Sequence, residues 1–71
     1  MYRNPASSEA IRAAFLKTGM TQRELAAKLN VSEQTIHAYV TGYRKPSAGN
    51  LFALARALNV DVRDLMVSEA A

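Results

Sequence analysis

The stretch Thr21–Gly42, TQRELAAKLNVSEQTIHAYVTG, constrains this chain more than any other. It holds two helix-start signals and two helix-stop signals in one short span, which dictates a helix, a tight turn and a second helix. Thr21-Gln22-Arg23-Glu24 is a capping box, in which the Thr21 hydroxyl accepts from the Glu24 backbone N–H and the Glu24 carboxylate accepts from that of Thr21. Leu25, Ala26 and Leu29 come next as a buried stripe. The turn Leu29-Asn30-Val31 centres on an asparagine, a residue that tolerates left-handed backbone, and its valine is placed to fold back onto the helix end. Ser32 then restarts the chain as an N-cap. The second helix is expected from Glu33 to Thr41, stopping at Gly42. Ile36, Tyr39 and Val40 point one way, and Gln34, His37, Ala38 and Thr41 lie on or near the other side.

The remaining segments read as support for that unit. Residues 1–7 are expected to form a flexible arm, since Asn4 and Pro5 discourage an early helix and Ser7 or Ser8 can cap the first one. Ile11, Ala14, Phe15 and Leu16 mark this first helix from Ser8 to Thr18, ended by Gly19. Tyr43-Arg44-Lys45-Pro46-Ser47 is a loop with two adjacent cations. Ser47 caps a helix whose core face is Leu51, Leu54, Ala55 and Leu58. Leu58-Asn59-Val60-Asp61 then repeats the exit device of Leu29-Asn30-Val31-Ser32, and Asp61 and Asp64 frame a fifth, short helix through about Val67 with Leu65 inward. Residues 68–71 read as a frayed end. The expectation is one all-α domain of five short helices over residues 8–67, with no strand signal.

Composition narrows the function. With 71 residues and no cysteine, the chain has one small core and neither disulfides nor thiolate chemistry. One histidine and six scattered carboxylates leave no metal constellation, and neither a Gly-rich phosphate loop nor a serine elbow occurs. No enzyme, cofactor or small-molecule ligand is expected. No apolar run approaches the roughly 18 residues of a membrane span, and the N-terminus lacks a signal peptide's apolar stretch. A cytoplasmic protein is the expectation. The formal charge of +3 is compatible with nucleic acid without requiring it.

The second helix of the opening stretch carries the functional signal. Its exposed face bears short polar side chains, poor for packing and suited to base edges in a DNA major groove. Candidate base-reading residues are Glu33, Gln34, Thr35, His37 and Ala38. Gln34 can pair bidentately with adenine, Glu33 can accept from the cytosine amino group, and Thr35 and Ala38 suit a thymine methyl. Candidate phosphate-binding residues are Gln22, Arg23, Ser32, Thr41, Arg44 and Lys45, at helix N-termini and in the basic loop.

These residues also carry a resemblance. Thr21-Gln22, Glu24-Leu25-Ala26, Gly42, Arg44, Pro46-Ser47 and the stretch from Ala55 to Leu58 closely resemble the phage Cro/repressor helix-turn-helix family, also called the Xre family. The likeness spans about Ile11 to Leu65. It implies a five-helix, lambda-repressor-like domain that binds a double-stranded operator as a homodimer and regulates transcription, as a repressor. Three departures from the family pattern stand out. Asn30 replaces a glycine common in the turn. Phe15 and Val40 replace an arginine and a glutamate that often pair, and exchanging both partners for apolar residues avoids stranding a charge; Phe15 is therefore expected to pack on Val40. Glu33 stands where an uncharged glutamine is frequent. For the dimer interface, Phe52, Val62 and Met66 are the candidates, with the equal alternative that Phe52 completes the core of the monomer. The alternative reading is a protein-interaction module of antitoxin type, with exposed Phe52, Met66 and Val67 as its contact residues.

Overall fold

The computed structural model describes residues 6–66. It contains four α-helices, α1 (Ser8–Thr18), α2 (Gln22–Leu29), α3 (Glu33–Thr41) and α4 (Ala48–Leu58), followed by a single 3-10 turn over Val62–Leu65. The bounds of α3 coincide with those expected. Each element starts on a capping side chain: Ser7, Thr21, Ser32, Ser47 and Asp61 all accept from a backbone N–H two or three residues on. Each α-helix ends on a left-handed residue, at Gly19, Asn30, Gly42 and Asn59. The repeated asparagine device is visible in the backbone, with φ of 57° at Asn30 and 59° at Asn59. In both turns the next valine donates its N–H back into the helix, Val31 to Ala26 at 3.0 Å and Val60 to Ala55 at 2.9 Å.

Every element sends one side chain with no measurable exposure to the centre: Ile11, Leu25, Ile36, Leu54 and Leu65. Each such burial stabilises the fold by about 1.5–3 kcal/mol before the entropy of ordering is set against it. α3 packs against α1 and α2, while α4 packs against α2 and the 3-10 turn. Phe15 and Val40 are both 7% exposed and belong to one core cluster, on the two helices α1 and α3 that pack together.

Two expectations need correcting. The fifth helix is a 3-10 turn of four residues, because Met66 goes extended (φ −105°, ψ 157°) to form a bridge with Ala6, leaving room for one turn only. That same bridge moves the arm boundary: Ala6 is 1% exposed and the Ser7 N–H donates to the Leu65 carbonyl at 2.8 Å, so both belong to the folded body. Leu16, one of the apolar residues that mark α1, is 68% exposed. Five residues beyond Ile11, it is rotated about 140° from it around the helix. Tyr2, Arg3, Val67 and the stretch 68–71 lie outside the described residues. Among the described residues no helix is long and apolar enough to cross a membrane.

The end of α3 is tightly placed against α1. A methyl group built at Gly42 would lie 2.8 Å from the Ser8 Oγ and 3.3 Å from its Cβ, whereas one at Gly19 meets nothing within 4 Å. Both glycines have positive φ, 85° and 75°. Gly19→Ala should therefore cost only the left-handed strain, about 1 kcal/mol, and Gly42→Ala that strain plus a shift of the Ser8 side chain, about 2 kcal/mol in all. Urea unfolding of the two variants checks this; equal losses would contradict the close approach of α1 to the end of α3.

Candidate nucleic-acid interface

The candidate surface begins at the N-terminus of α2. Thr21 holds it with the expected capping box: the Glu24 N–H donates to the Thr21 hydroxyl at 3.0 Å, and the Thr21 N–H donates to the Glu24 carboxylate at 2.9 Å. The cap leaves Gln22 half-buried and Arg23 exposed on the first turn. Accepting the Thr21 backbone N–H is the largest cause, ahead of the Thr21 hydroxyl, that holds the Glu24 carboxyl below its usual 4.5.

The turn to α3 is closed mainly by backbone hydrogen bonds. The Asn30 and Val31 N–H groups donate to Ala27 and Ala26 at 3.3 and 3.0 Å, and the Ser32 carbonyl accepts from Thr35 and Ile36 at 3.1 and 3.3 Å. Ser32 Oγ also accepts the Thr35 N–H at 3.1 Å. This fixes which residues of α3 face outward. Glu33, Gln34, His37 and Thr41 are exposed; Ile36, Tyr39 and Val40 are buried. Gln22 joins Glu33, Gln34 and His37 around one open depression of about 330 Å3, so the starts of the two helices share a single surface.

Two of the expected base-reading residues are placed differently. Ala38 is only 8% exposed. Its methyl is therefore not offered to a thymine in this arrangement. After Gly42 the Arg44 N–H donates to the Ala38 carbonyl at 3.2 Å, closing the end of α3. Thr35 is half-buried, and its hydroxyl shares a hydrogen bond of 2.8 Å with Ser32 Oγ. Among the phosphate candidates, Ser32, Arg23, Arg44 and Lys45 are exposed. Thr41 is exposed too, but its hydroxyl proton is directed to the carbonyls of His37 and Ala38 at 2.9 and 3.3 Å. Thr41 therefore presents lone pairs, which suit a donor better than a phosphate oxygen. Away from this surface, Phe52 is 57% exposed, while Val62 and Met66 are half-buried against the core.

Three features have no counterpart in the sequence reading. The Asn50 amide donates to the Tyr39 hydroxyl at 2.8 Å, linking the back of α3 to the first turn of α4. Pro46 is fully buried and anchors the basic loop from its far end. Tyr43, between Gly42 and Arg44, is 88% exposed. Its only sequence signal is position: an aromatic between a helix-ending glycine and two cations.

A helix-turn-helix family model matches residues 11–65. Vegetative-specific protein H7 of Dictyostelium discoideum is 42% identical over 60 residues, covering 84% of this chain and 58% of that protein. The chain thus spans less than two thirds of that relative's length. An uncharacterized HTH-type transcriptional regulator of Archaeoglobus fulgidus is 39% identical over 57 residues, covering 80% of this chain and 81% of the relative. Among solved structures, the restriction-modification controller protein C.AhdI from Aeromonas hydrophila superposes with a TM-score of 0.77 at 25% identity, covering 83% of this chain and 89% of that one. A hypothetical transcription factor from Neisseria, NHTF, shares the fold at a TM-score of 0.67 and 19% identity, covering 94% and 84%.

The Glu24 cap predicts an acid-sensitive α2. Its folded-state carboxyl releases its proton more readily than in the unfolded chain, so the stabilisation is complete above the unfolded value near 4.5 and lost as pH falls through the lower folded value. Asp61, held low chiefly by the Arg63 side chain, acts in the same sense from its usual 3.8. Glu24→Gln should be less stable than the parent at neutral pH and lose less on acidification, as read by thermal unfolding across this range. Parallel pH curves would show that the cap is not carried by the charge.

Proposed function

The chain belongs to the Xre-type helix-turn-helix family, and from that premise we propose that it is a DNA-binding transcriptional regulator that reads the major groove with α3. The observation that carries the reading is the joint exposure of Glu33, Gln34 and His37 on one depression with Gln22. A lone helix face of polar residues is ordinary solvated surface. Two helix starts converging on one surface, with Arg23 exposed on the first turn of α2 and Arg44 and Lys45 exposed in the loop after α3, fit a base-reading helix held by phosphate contacts near its ends. A helix lodged in the groove occludes the site to other proteins, and repression is the direct consequence. Phe52, with Val62 and Met66 nearby in sequence, is the surface assigned to a second copy, placing two half-sites about one helical turn, roughly 34 Å, apart.

Binding to random duplex DNA should be weak and fall steeply between low and moderate salt. An interaction module would show neither property. Sequences selected from a random pool should then carry paired half-sites. Arg44→Ala should weaken all duplexes alike and lower the salt slope by about one, whereas Gln34→Ala should relax preference at a base position, costing about 1–3 kcal/mol on the selected site. Identical behaviour of the two variants would contradict the division into phosphate and base contacts. Phe52→Glu should reduce the protein to a monomer in sedimentation and weaken paired sites more than single half-sites; an unchanged mass and preference would remove Phe52 from the interface.

A further inference from the structure

We propose that the operator is defined by exocyclic amino groups, cytosine N4 and adenine N6, and that methylating these amines silences it. The inference rests on the reading of α3 as the base-reading helix and concerns what it reads. α3, EQTIHAYVT, contains no lysine or arginine, so the commonest specific contact, a cation forked onto guanine O6 and N7, has no donor on this helix. The structure also removes one of the two apolar thymine contacts, since Ala38 is 8% exposed, and leaves Thr35 half-buried with its hydroxyl on Ser32. What remains around the depression in the first turn is Glu33 and Gln34, with His37 one turn later and Gln22 alongside.

Those side chains have a definite chemistry. An ionised Glu33 accepts and cannot donate, so a base edge facing it must offer N–H. In the major groove only the amino groups of cytosine and adenine do so. Guanine or thymine opposite Glu33 would set acceptor against acceptor and add repulsion. Gln34 satisfies adenine with both ends of its amide, accepting from N6 and donating to N7. The cations that hold the duplex, Arg23, Arg44 and Lys45, lie off α3 and supply affinity without base choice.

This assignment makes the site sensitive to a modification that leaves base pairing intact. In a paired N4-methylcytosine the one remaining amino hydrogen serves the guanine partner, and the methyl occupies the groove-facing position. The donor to Glu33 is lost and its carboxylate meets a methyl instead. N6-methyladenine does the same to Gln34. A 5-methylcytosine keeps its groove-facing N–H, and 7-deazaguanine removes only an acceptor that α3 does not use.

The test starts from duplexes selected by the full chain out of a random pool, resynthesised with one modified base at a time. At the position that Glu33→Ala relaxes, N4-methylcytosine should weaken binding about ten-fold or more, the scale of a lost base contact. At the same base pair 5-methylcytosine and 7-deazaguanine should change it less than about three-fold. Glu33→Ala should bind the unmodified and N4-methylated duplexes equally. Full binding to the N4-methylated duplex, or loss with 7-deazaguanine instead, would overturn the inference while leaving DNA recognition in place. Failure of the chain to select any duplex would instead remove the functional reading on which it rests.

Discussion

The structure depends on the turn between α2 and α3. Its angle is set by one left-handed residue, Asn30 at φ 57°, with Val31 bonded back to Ala26 at 3.0 Å and Ser32 starting the next helix. No long side chain is needed to hold it, so the surface it creates is left to residues with other tasks. If Asn30 were forced into right-handed backbone, α2 would run on and Glu33, Gln34 and His37 would no longer meet Gln22. The shape of the candidate surface depends on that one change of direction.

The rest of the fold serves to keep α3 from moving once the turn has aimed it. Ile36 is fully buried and Tyr39 and Val40 nearly so, with α1 and α2 as the packing partners. Gly42 lets the helix end close to Ser8, where a methyl group would not fit without displacement. Asn50 holds the Tyr39 hydroxyl, and the Arg44 backbone returns to Ala38. A helix fixed in this way would lose little further conformational freedom on binding a duplex, which would favour discrimination between sites.

Much of this was legible in the sequence because local chemistry decides it. The caps at Thr21, Ser32 and Asp61 and the exits at Asn30 and Asn59 are each written in a few adjacent residues, and the structure reproduces them. What was not legible depends on partners distant in the chain. The fifth helix shortens to a 3-10 turn because Met66 pairs with Ala6, sixty positions away. Ala38 is only 8% exposed, although helical periodicity alone sets it near the exposed side of α3. The Asn50–Tyr39 hydrogen bond likewise joins residues whose meeting is a property of packing. On the candidate surface, the sequence carried the identity of Gln22, Glu33, Gln34 and His37; their convergence on one depression required the fold.

The central claim is that α3 and the start of α2 together form the DNA-binding face. The most direct measurement is a titration of isotope-labelled protein with a duplex, monitored by backbone amide NMR. The account predicts shifts concentrated at Gln22, Arg23, Glu33, Gln34, His37 and the loop at Arg44, with α1 and the middle of α4 little changed. Shifts centred instead on Phe52 and α4, or none at a duplex concentration that saturates other assays, would contradict it.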